Sequence, residues 1–321
     1  MVSKKDFYEF IENDIVTKDD KEKYAYAHKK QKIAIRFYLF SGAAFLLFVL
    51  FLLLSCIGVN SGDNSVFLSV LFVVSIATSI ALFIIATFYL AKSRYNFYVD
   101  KEKIVGYLLQ GYTYKYARKD YISKDIFKVS PFYEPYDHYR GADYLSIKIP
   151  NKDGSPSQVE LCVSDLNVTD TRTRTTRNSK GERVTETYTV TIFYGVFGIV
   201  EFPKSFKTNL AINHGSKYKK IKTEDVKFDK EFAVRASDEL EAYCILTPSM
   251  MKKLQLLHAK NHFSIVLVDN KMYLELGNNL FTTKNVKELN GDYFLDFYND
   301  VNELISIVNE IKNNSKVFKL E

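Results

Sequence analysis

TDTRTRTTRNSKGERVTETY, Thr169–Tyr188, alternates threonine with arginine, passes through Asn178-Ser179-Lys180-Gly181, and returns with threonine alternating against valine, glutamate and tyrosine. Period-two alternation on both sides of a glycine-bearing turn is the pattern of a β-hairpin. Asn178–Gly181 suits a type I turn closed by glycine in the left-handed region. Pairing Asn178 with Glu182 then sets the register: Arg174 faces Glu186, Arg172 faces Tyr188 and Thr176 faces Val184. Opposite charges across strands, and arginine over an aromatic ring, each contribute a few tenths to about 1 kcal/mol.

The same arginines invite a second reading, a basic grip for nucleic acid. Arg172, Arg174, Arg177, Lys180 and Arg183 stand against Asp170, Glu182 and Glu186. That surplus of about two charges is far below the roughly six to ten phosphate contacts of strong electrostatic binding. Nucleic acid is therefore not an expected partner. An exposed, self-paired arm is expected over 170–188, with Arg172, Arg174, Arg177 and Tyr188 as candidate interaction residues. Its threonine-rich edge can accept a strand from a partner.

Working outward, short alternating runs precede the arm. Tyr95–Val99, Lys103–Leu109, Tyr112–Tyr116, Tyr144–Ile149 and Gln158–Val163 read as strands, with a turn at Pro150–Pro156. After it, Thr189–Phe206 reads as an apolar strand pair in which Gly195 and Gly198 mark a bend or bulge, for packing rather than for a ligand. These runs make 95–215 a β-rich domain.

Further upstream the pattern changes to two uncharged runs, Phe37–Val59 and Val66–Ala91, separated by the polar Asn60–Ser65. Each exceeds the roughly 20 residues that a helix needs to cross the hydrocarbon core. Residues 33–94 are thus expected to form a transmembrane hairpin, with spans at about 37–59 and 66–91. Lys29, Lys30, Lys32 and Arg36 flank the first run, Lys92 and Arg94 follow the second, and the connection carries only Asp63. Positive flanks stay inside, which predicts a multi-pass cell-membrane protein with both termini cytoplasmic. Neither run contains an ionisable residue that would mark an ion pathway, so the hairpin reads as an anchor. Small residues at Ser41–Ala44 and Ser75–Ser79 allow close helix packing. Residues 1–32 read as a charged helical segment, with Phe7, Phe10, Ile11 and Ile15 at helical spacing.

Downstream, 216–321 reads as an α+β part. Lys217–Lys222 is a basic run in a loop. Ser237 is expected to cap a short helix whose first turn is acidic. Thr247 caps a second, with Pro248 at its first position and Met250, Met251, Leu254 and Leu257 as its apolar stripe. Phe263–Leu276 reads as a hairpin around Asp269-Asn270. An amphipathic helix carrying Phe294, Phe297, Val301, Leu304, Ile305, Val308 and Ile311 on one face follows.

These residues resemble the bacterial domain of unknown function 3137 family. The pattern is FDKEFAV, then Ser-Asp and Glu-Ala in a helical turn, LTP followed by Met, a strand pair around VDNK and a closing Leu/Ile-rich helix. TIFYGVFGIVEF after a glycine-turn hairpin also looks like the family's Phe-x-Gly segment. The resemblance covers most of 33–312 and rests chiefly on 189–276. It implies a two-span, membrane-attached cytoplasmic α+β protein and no particular activity. Members tend to carry Phe-Glu after the second strand, where this chain has Phe281-Thr282.

Composition agrees with a folded chain: of 321 residues, 47% are hydrophobic and 26% charged, and the net charge is +6. Abundant Lys, Asn, Ile, Phe and Tyr with no Trp hint at an AT-rich bacterial genome. A mild positive charge suits an anionic membrane surface. Cys56, Cys162 and Cys244 form no CxxC pair, so neither a disulfide framework nor a zinc site is indicated. His258 and His262 share spacing but lack further ligands, and no metal or cofactor is expected. His138 and His214 fall in loops, and no nucleophile elbow, Walker loop or dinucleotide fingerprint is present. Arg235, Asp238 and Glu241 are further candidate interaction residues, although ion pairing and capping account for them more simply. The expected function is a non-enzymatic, membrane-anchored interaction or scaffold protein that touches lipid and binds a protein partner or itself. The alternative is a lipid- or headgroup-binding factor in envelope maintenance.

Overall fold

The structure is a computed structural model that describes residues 2–56, 64–93, 99–151, 158–177, 181–259, 262–281 and 288–319. The chain divides into two compact units. One comprises Met1–Glu9, Asp100–Lys284 and Asp292–Glu321; the other comprises Phe10–Val99 with Asn285–Gly291. The fold is α+β, as the patterning predicts: two long apolar helices and a large antiparallel sheet with helices around it.

The helical unit is built on α2 (Lys18–Cys56) and α3 (Asn64–Lys92), which α1 (Lys4–Phe10) and a π turn at Ile11–Ile15 precede. One unbroken helix α2 spans both the charged lead and the first apolar run, crossing the expected break at 32/33. It starts at Thr17, whose hydroxyl accepts from the Asp20 amide at 3.1 Å while the Asp20 carboxylate accepts from the Thr17 amide, a reciprocal cap. α2 and α3 lie antiparallel. Ser41 Oγ donates to the Ser79 carbonyl at 2.9 Å and Ser79 Oγ donates to the Ser41 carbonyl at 3.1 Å. The rings of Phe37 and Tyr89 stack at 5.8 Å, and those of Phe48 and Phe72 meet at 4.6 Å. The two small-residue patches therefore do meet, through serine hydroxyls. Gly42 is not a contact point: a Cβ there would touch nothing within 4 Å.

Both helices are long and apolar enough to cross a membrane, and little of their apolar windows is buried, 6% and 11%. Leu39, Leu46 and Ile84 are more than 60% exposed. The core helix of a soluble protein would hide such residues.

Among the described residues the other unit is built on a nine-stranded sheet. Its strands are β1 (Thr113–Ala117), β2 (His138–Lys148), β3 (Glu160–Arg177), β4 (Arg183–Glu201), β5 (Leu210–Ile212), β6 (Lys219–Lys220), β7 (Val234–Ala236), β8 (Phe263–Val268) and β9 (Lys271–Leu276). The order is β1-β2-β3-β4-β9-β8-β5-β7-β6, and every pairing is antiparallel. Because β9 pairs with β4, one sheet runs through the boundary that composition suggests at 215/216.

One face packs Leu166, Val168, Phe197, Ala211, Val266 and Tyr273 under Ile122, Phe127 and Phe132, which lie on and beside α5 (Lys124–Lys128). Elsewhere α9 (Leu295–Asn313) buries Phe297, Val301, Leu304, Ile305, Val308 and Ile311, the predicted stripe. Phe297 stacks on Phe281 at 4.3 Å. Phe7 of α1 meets Tyr298 at 5.1 Å. α8 (Pro248–His258) buries its predicted stripe Met250, Met251, Leu254 and Leu257. The Thr247 hydroxyl accepts from the Met250 amide at 3.1 Å and donates to Glu310 of α9 at 2.6 Å. Burial would raise the Glu310 carboxyl, but donors from Lys253, Thr247 and Ser249 outweigh it and hold it below the usual glutamate value.

Four local expectations are corrected. Lys103–Leu109 lies mainly in a helix, α4 (Lys101–Leu108), because Asp100 caps it by accepting from the Lys103 amide at 3.1 Å and Ile104, Val105 and Leu108 are buried together. Thr189–Phe206 is no strand pair; it is the inner half of β4 and the loop after it. Gly195, at φ +142°, lies where a side chain would overlap the Leu276 carbonyl, and Gly198 lies between Leu274 and Val163, so both serve close packing. Lys217–Lys222 contains edge strand β6 rather than being wholly loop. Asp238, not Ser237, caps α7 (Glu239–Ile245), since its carboxylate accepts from the Glu241 amide at 3.0 Å. The Ser237 hydroxyl instead accepts from the Asn209 amide. Most of Tyr95–Val99 and Pro150–Pro156 lies outside the described residues.

Candidate functional site: a free β-ribbon and the cleft at its base

β3 and β4 are about three times the length of an ordinary strand, which runs to about 5–6 residues. β2 accompanies β3 only as far as Thr169, and β9 accompanies β4 only from Val196. Beyond those points, among the described residues, the two strands continue alone. Residues 171–177 and 183–189 are exposed on both faces. A register shift between Val168 and Thr169, with Ile192 as the extra residue, marks where the ribbon leaves the sheet.

The register is the one the turn dictates: Arg172 opposite Tyr188, Arg174 opposite Glu186 and Thr176 opposite Val184. Asn178–Lys180 lies outside the described residues; Gly181 has φ +82°, the left-handed conformation that the turn asks of it. Arg174 forms a two-pronged pair with Glu186, at 2.8 and 3.0 Å, and lies 5.9 Å from the centre of the Tyr188 ring. Arg172 turns instead to Asp170, at 3.0 Å. At the tip, Arg177 faces Arg183, a like-charged pair that weakens the end of the hairpin.

Alternation puts the Arg172–Tyr188 and Arg174–Glu186 pairs on one face. On the other lie Thr171 opposite Thr189, Thr173 opposite Thr187 and Thr175 opposite Thr185. Over those three pairs this second face is an array of hydroxyls and methyls, and the Arg177–Arg183 pair ends it at the tip. At its root the ribbon is held by Asp137, whose carboxylate accepts from the Thr171 amide at 3.0 Å while its amide donates to the Thr169 carbonyl.

Where β4 parts from β9 a cleft of about 470 Å³ opens, lined by Phe193, Tyr194, His258, His262, Ser264 and Glu275 among others. Burial, with some repulsion from Glu134, pushes the Glu275 carboxyl up to about 8. The rings of His258 and His262 are 6.2 Å apart. Among the described residues no three His, Cys, Asp or Glu side chains are placed to hold a metal ion.

A second ionic cluster lies at the β2–β3 side. Asp143, buried and at φ +57°, pairs with Lys101 and accepts from the Tyr116 hydroxyl at 2.5 Å. Lys101 also lies 4.6 Å over the Phe281 ring. Nearby Asp165 accepts from the Leu280 amide at 2.7 Å, yet burial pushes its carboxyl up to about 7. Burial and the Asp143 contact keep the Tyr116 phenol protonated. The Cys162 thiol is likewise pushed up by burial, so it does not supply a thiolate. These groups tie β1, β2 and α4 together. Among the described residues no activated nucleophile adjoins them.

The remaining predicted residues serve separate ends. Arg235 donates to the Tyr218 carbonyl at 3.4 Å, Asp238 caps α7, and Glu241 pairs with Lys207 at 3.5 Å. They do not form one site. Among the membrane-flank residues, Lys30 lies 5.0 Å from the ring centres of both Tyr26 and Tyr89, and Lys92 lies 4.3 Å from that of Phe88. Lys29, Lys32 and Arg36 are exposed, and Arg94 lies outside the described residues.

Sequence reasoning did not single out Glu275, Asp165 or Asp143, which only the sheet brings near their partners. The signal available was an acid between core residues: Glu275 between Leu274 and Leu276, and Asp165 between Ser164 and Leu166.

With this geometry in place, comparison with known proteins adds one finding. Residues 191–313 match the family model described as Protein of unknown function (DUF3137). The match runs from the inner half of β4 to the last residue of α9 and supports the family resemblance read from the sequence. The ribbon and both long apolar helices lie outside the matched segment. No curated protein and no solved structure matches the chain.

Proposed function

We propose that the protein is a membrane-anchored, non-enzymatic interaction module whose β-ribbon holds a protein partner at the cytoplasmic face of a bacterial membrane. The observation that carries this reading is the ribbon itself. A two-stranded hairpin exposed on both faces is marginally stable alone, and its open edges present unpaired backbone groups that natural proteins ordinarily cover. A ribbon left bare over 171–177 and 183–189 is thus a surface built to be covered.

Exposed Leu39, Leu46 and Ile84 favour α2 and α3 as spanning helices, because lipid solvates them where water would not. The flanking lysines on aromatic rings suit the headgroup layer, and their excess over the Asp63 side favours cytoplasmic termini.

The test compares the full chain with one lacking 170–187, each purified from native membranes in mild detergent. Thr169 and Tyr188 can be joined, since Val168 and Phe193 remain paired below the deletion. Loss of the associated protein with an otherwise intact fold is expected. Unchanged association contradicts the reading.

A further inference from the structure

We propose that the ribbon's partner is a second copy of this chain, joined edge to edge through β4 in an antiparallel register centred on Thr187. This rests on the reading of the ribbon as an interaction arm and names what covers it.

Two strands paired across a two-fold axis match residue i of one copy with a residue of the other, and the register has a centre. Outward-pointing backbone groups recur on alternate residues, so the centre must fall on a residue rather than between two. That leaves few registers, and their charges separate them.

The outer edge of β3 is unsuited. Its root is occupied, because the Thr171 amide already donates to Asp137. Registers centred on Arg172, Thr173 or Arg174 set arginine opposite arginine, at a cost. A centre at Thr175 leaves only Thr173–Arg177 to pair among the described residues.

Among the described residues no strand pairs with the outer edge of β4 from Arg183 to Thr191, since β9 joins only at Val196. A centre at Thr185 pairs only Arg183–Thr187. A centre at Glu186 opposes the two copies' glutamates. A centre at Tyr188 sets Glu186 against Val190 and runs into the bulge at Ile192. A centre at Thr187 avoids each fault. Arg183–Thr191 then pairs along its whole length, with Val184 opposite the second copy's Val190 and Thr185 opposite its Thr189. Glu186 faces its Tyr188, a phenol able to donate to the carboxylate.

The consequences extend across all four strands. On the charged face each row reads Arg174, Glu186, then Tyr188 and Arg172 of the second copy, so every glutamate lies between an arginine and a phenol. On the opposite face the six threonines of each copy merge into one twelve-hydroxyl array. Cross-strand Thr–Thr and opposite-charge pairs are the favourable units of such a sheet.

The register makes a position-specific test possible. Residues directly opposite have Cα atoms about 4.5–5.5 Å apart, within the range a disulfide spans. Thr187→Cys should cross-link to its own copy on mild oxidation of the intact protein in its membrane. Thr185→Cys should not cross-link to itself, because the two sites lie about four residues, roughly 13 Å, out of register. Thr185→Cys and Thr189→Cys, co-expressed on differently tagged chains, should cross-link to each other. Wild-type protein reports the background from Cys56, Cys162 and Cys244. At least a tenfold excess of disulfide dimer for Thr187→Cys over Thr185→Cys is expected. Equal cross-linking at the two positions overturns the register, and no cross-link at either overturns self-pairing. If self-pairing fails in this way while deletion of 170–187 still releases an associated protein, the interaction-arm reading stands and its partner is a different chain.

Discussion

Glu275 is a carboxyl on a strand whose neighbours Leu274 and Leu276 are buried, and burial holds its proton on to about pH 8, against an ordinary value of 4.5. In the unfolded chain that proton leaves near the ordinary value, so between the two the folded state binds more protons than the unfolded one. Stability from this group is therefore full below about pH 4.5, falls as pH rises, and levels off above about 8. Asp165 acts in the same sense up to about 7. Glu275→Gln should leave thermal stability unchanged at pH 4 and raise it at pH 8.5, by about 1–3 kcal/mol once relaxation is allowed for. Thermal unfolding of the detergent-solubilised full chain at the two pH values checks this; an equal effect at both would mean that the carboxyl is not held protonated. In the sequence the only trace of it is that Glu275 stands between Leu274 and Leu276 in a strand. Part of its environment comes from its hairpin partner β8, and the rest from β4 and the segment around Glu134, both distant along the chain.

At the scale of elements, the legible features were those whose causes are local. Thr247-Pro248 with Met250, Met251, Leu254 and Leu257 contains its own cap and stripe, and the helix formed as read. The hairpin register needed only a turn and an alternation, and β3 and β4 pair accordingly. Lys103–Leu109 was misread because Ile104 and Val105 are adjacent, which blurs the period, while its cap Asp100 lies outside the run. Ser237 was misread because Asp238 beside it is an equally good cap and Asn209, a distant partner, takes the serine hydroxyl. Thr189–Phe206 was split at its glycines because a glycine that admits a neighbouring backbone looks the same in sequence as one that makes a turn. The Thr247 cap also joins α8 to α9 through Glu310. Thr247→Ala should lower stability by about 1–2 kcal/mol, read as a lower unfolding temperature in the same assay. No change would show that the Ser249 and Lys253 contacts to Glu310 suffice.

On the scale of the whole molecule, one sheet carries both the segment that matches a family model and the ribbon that the match leaves out. The function proposed above places partner contact on the ribbon, outside the matched segment. The orientation expected from the flanking lysines puts the ribbon on the cytoplasmic side. A membrane-impermeant maleimide should accordingly label Thr187→Cys only after the cell membrane is opened. Labelling above the wild-type background in intact cells would reverse the topology.

The most direct test of the central claim, that the ribbon is covered by a partner, is amide hydrogen exchange over Arg183–Thr191 in the intact protein within its native membrane. An uncovered two-stranded ribbon opens readily and exchanges fast. The account predicts protection there approaching that of the inner half of β4, lost when the protein is diluted into detergent as single chains. Fast exchange over Arg183–Thr191 in the membrane, beside a protected inner half, would contradict it.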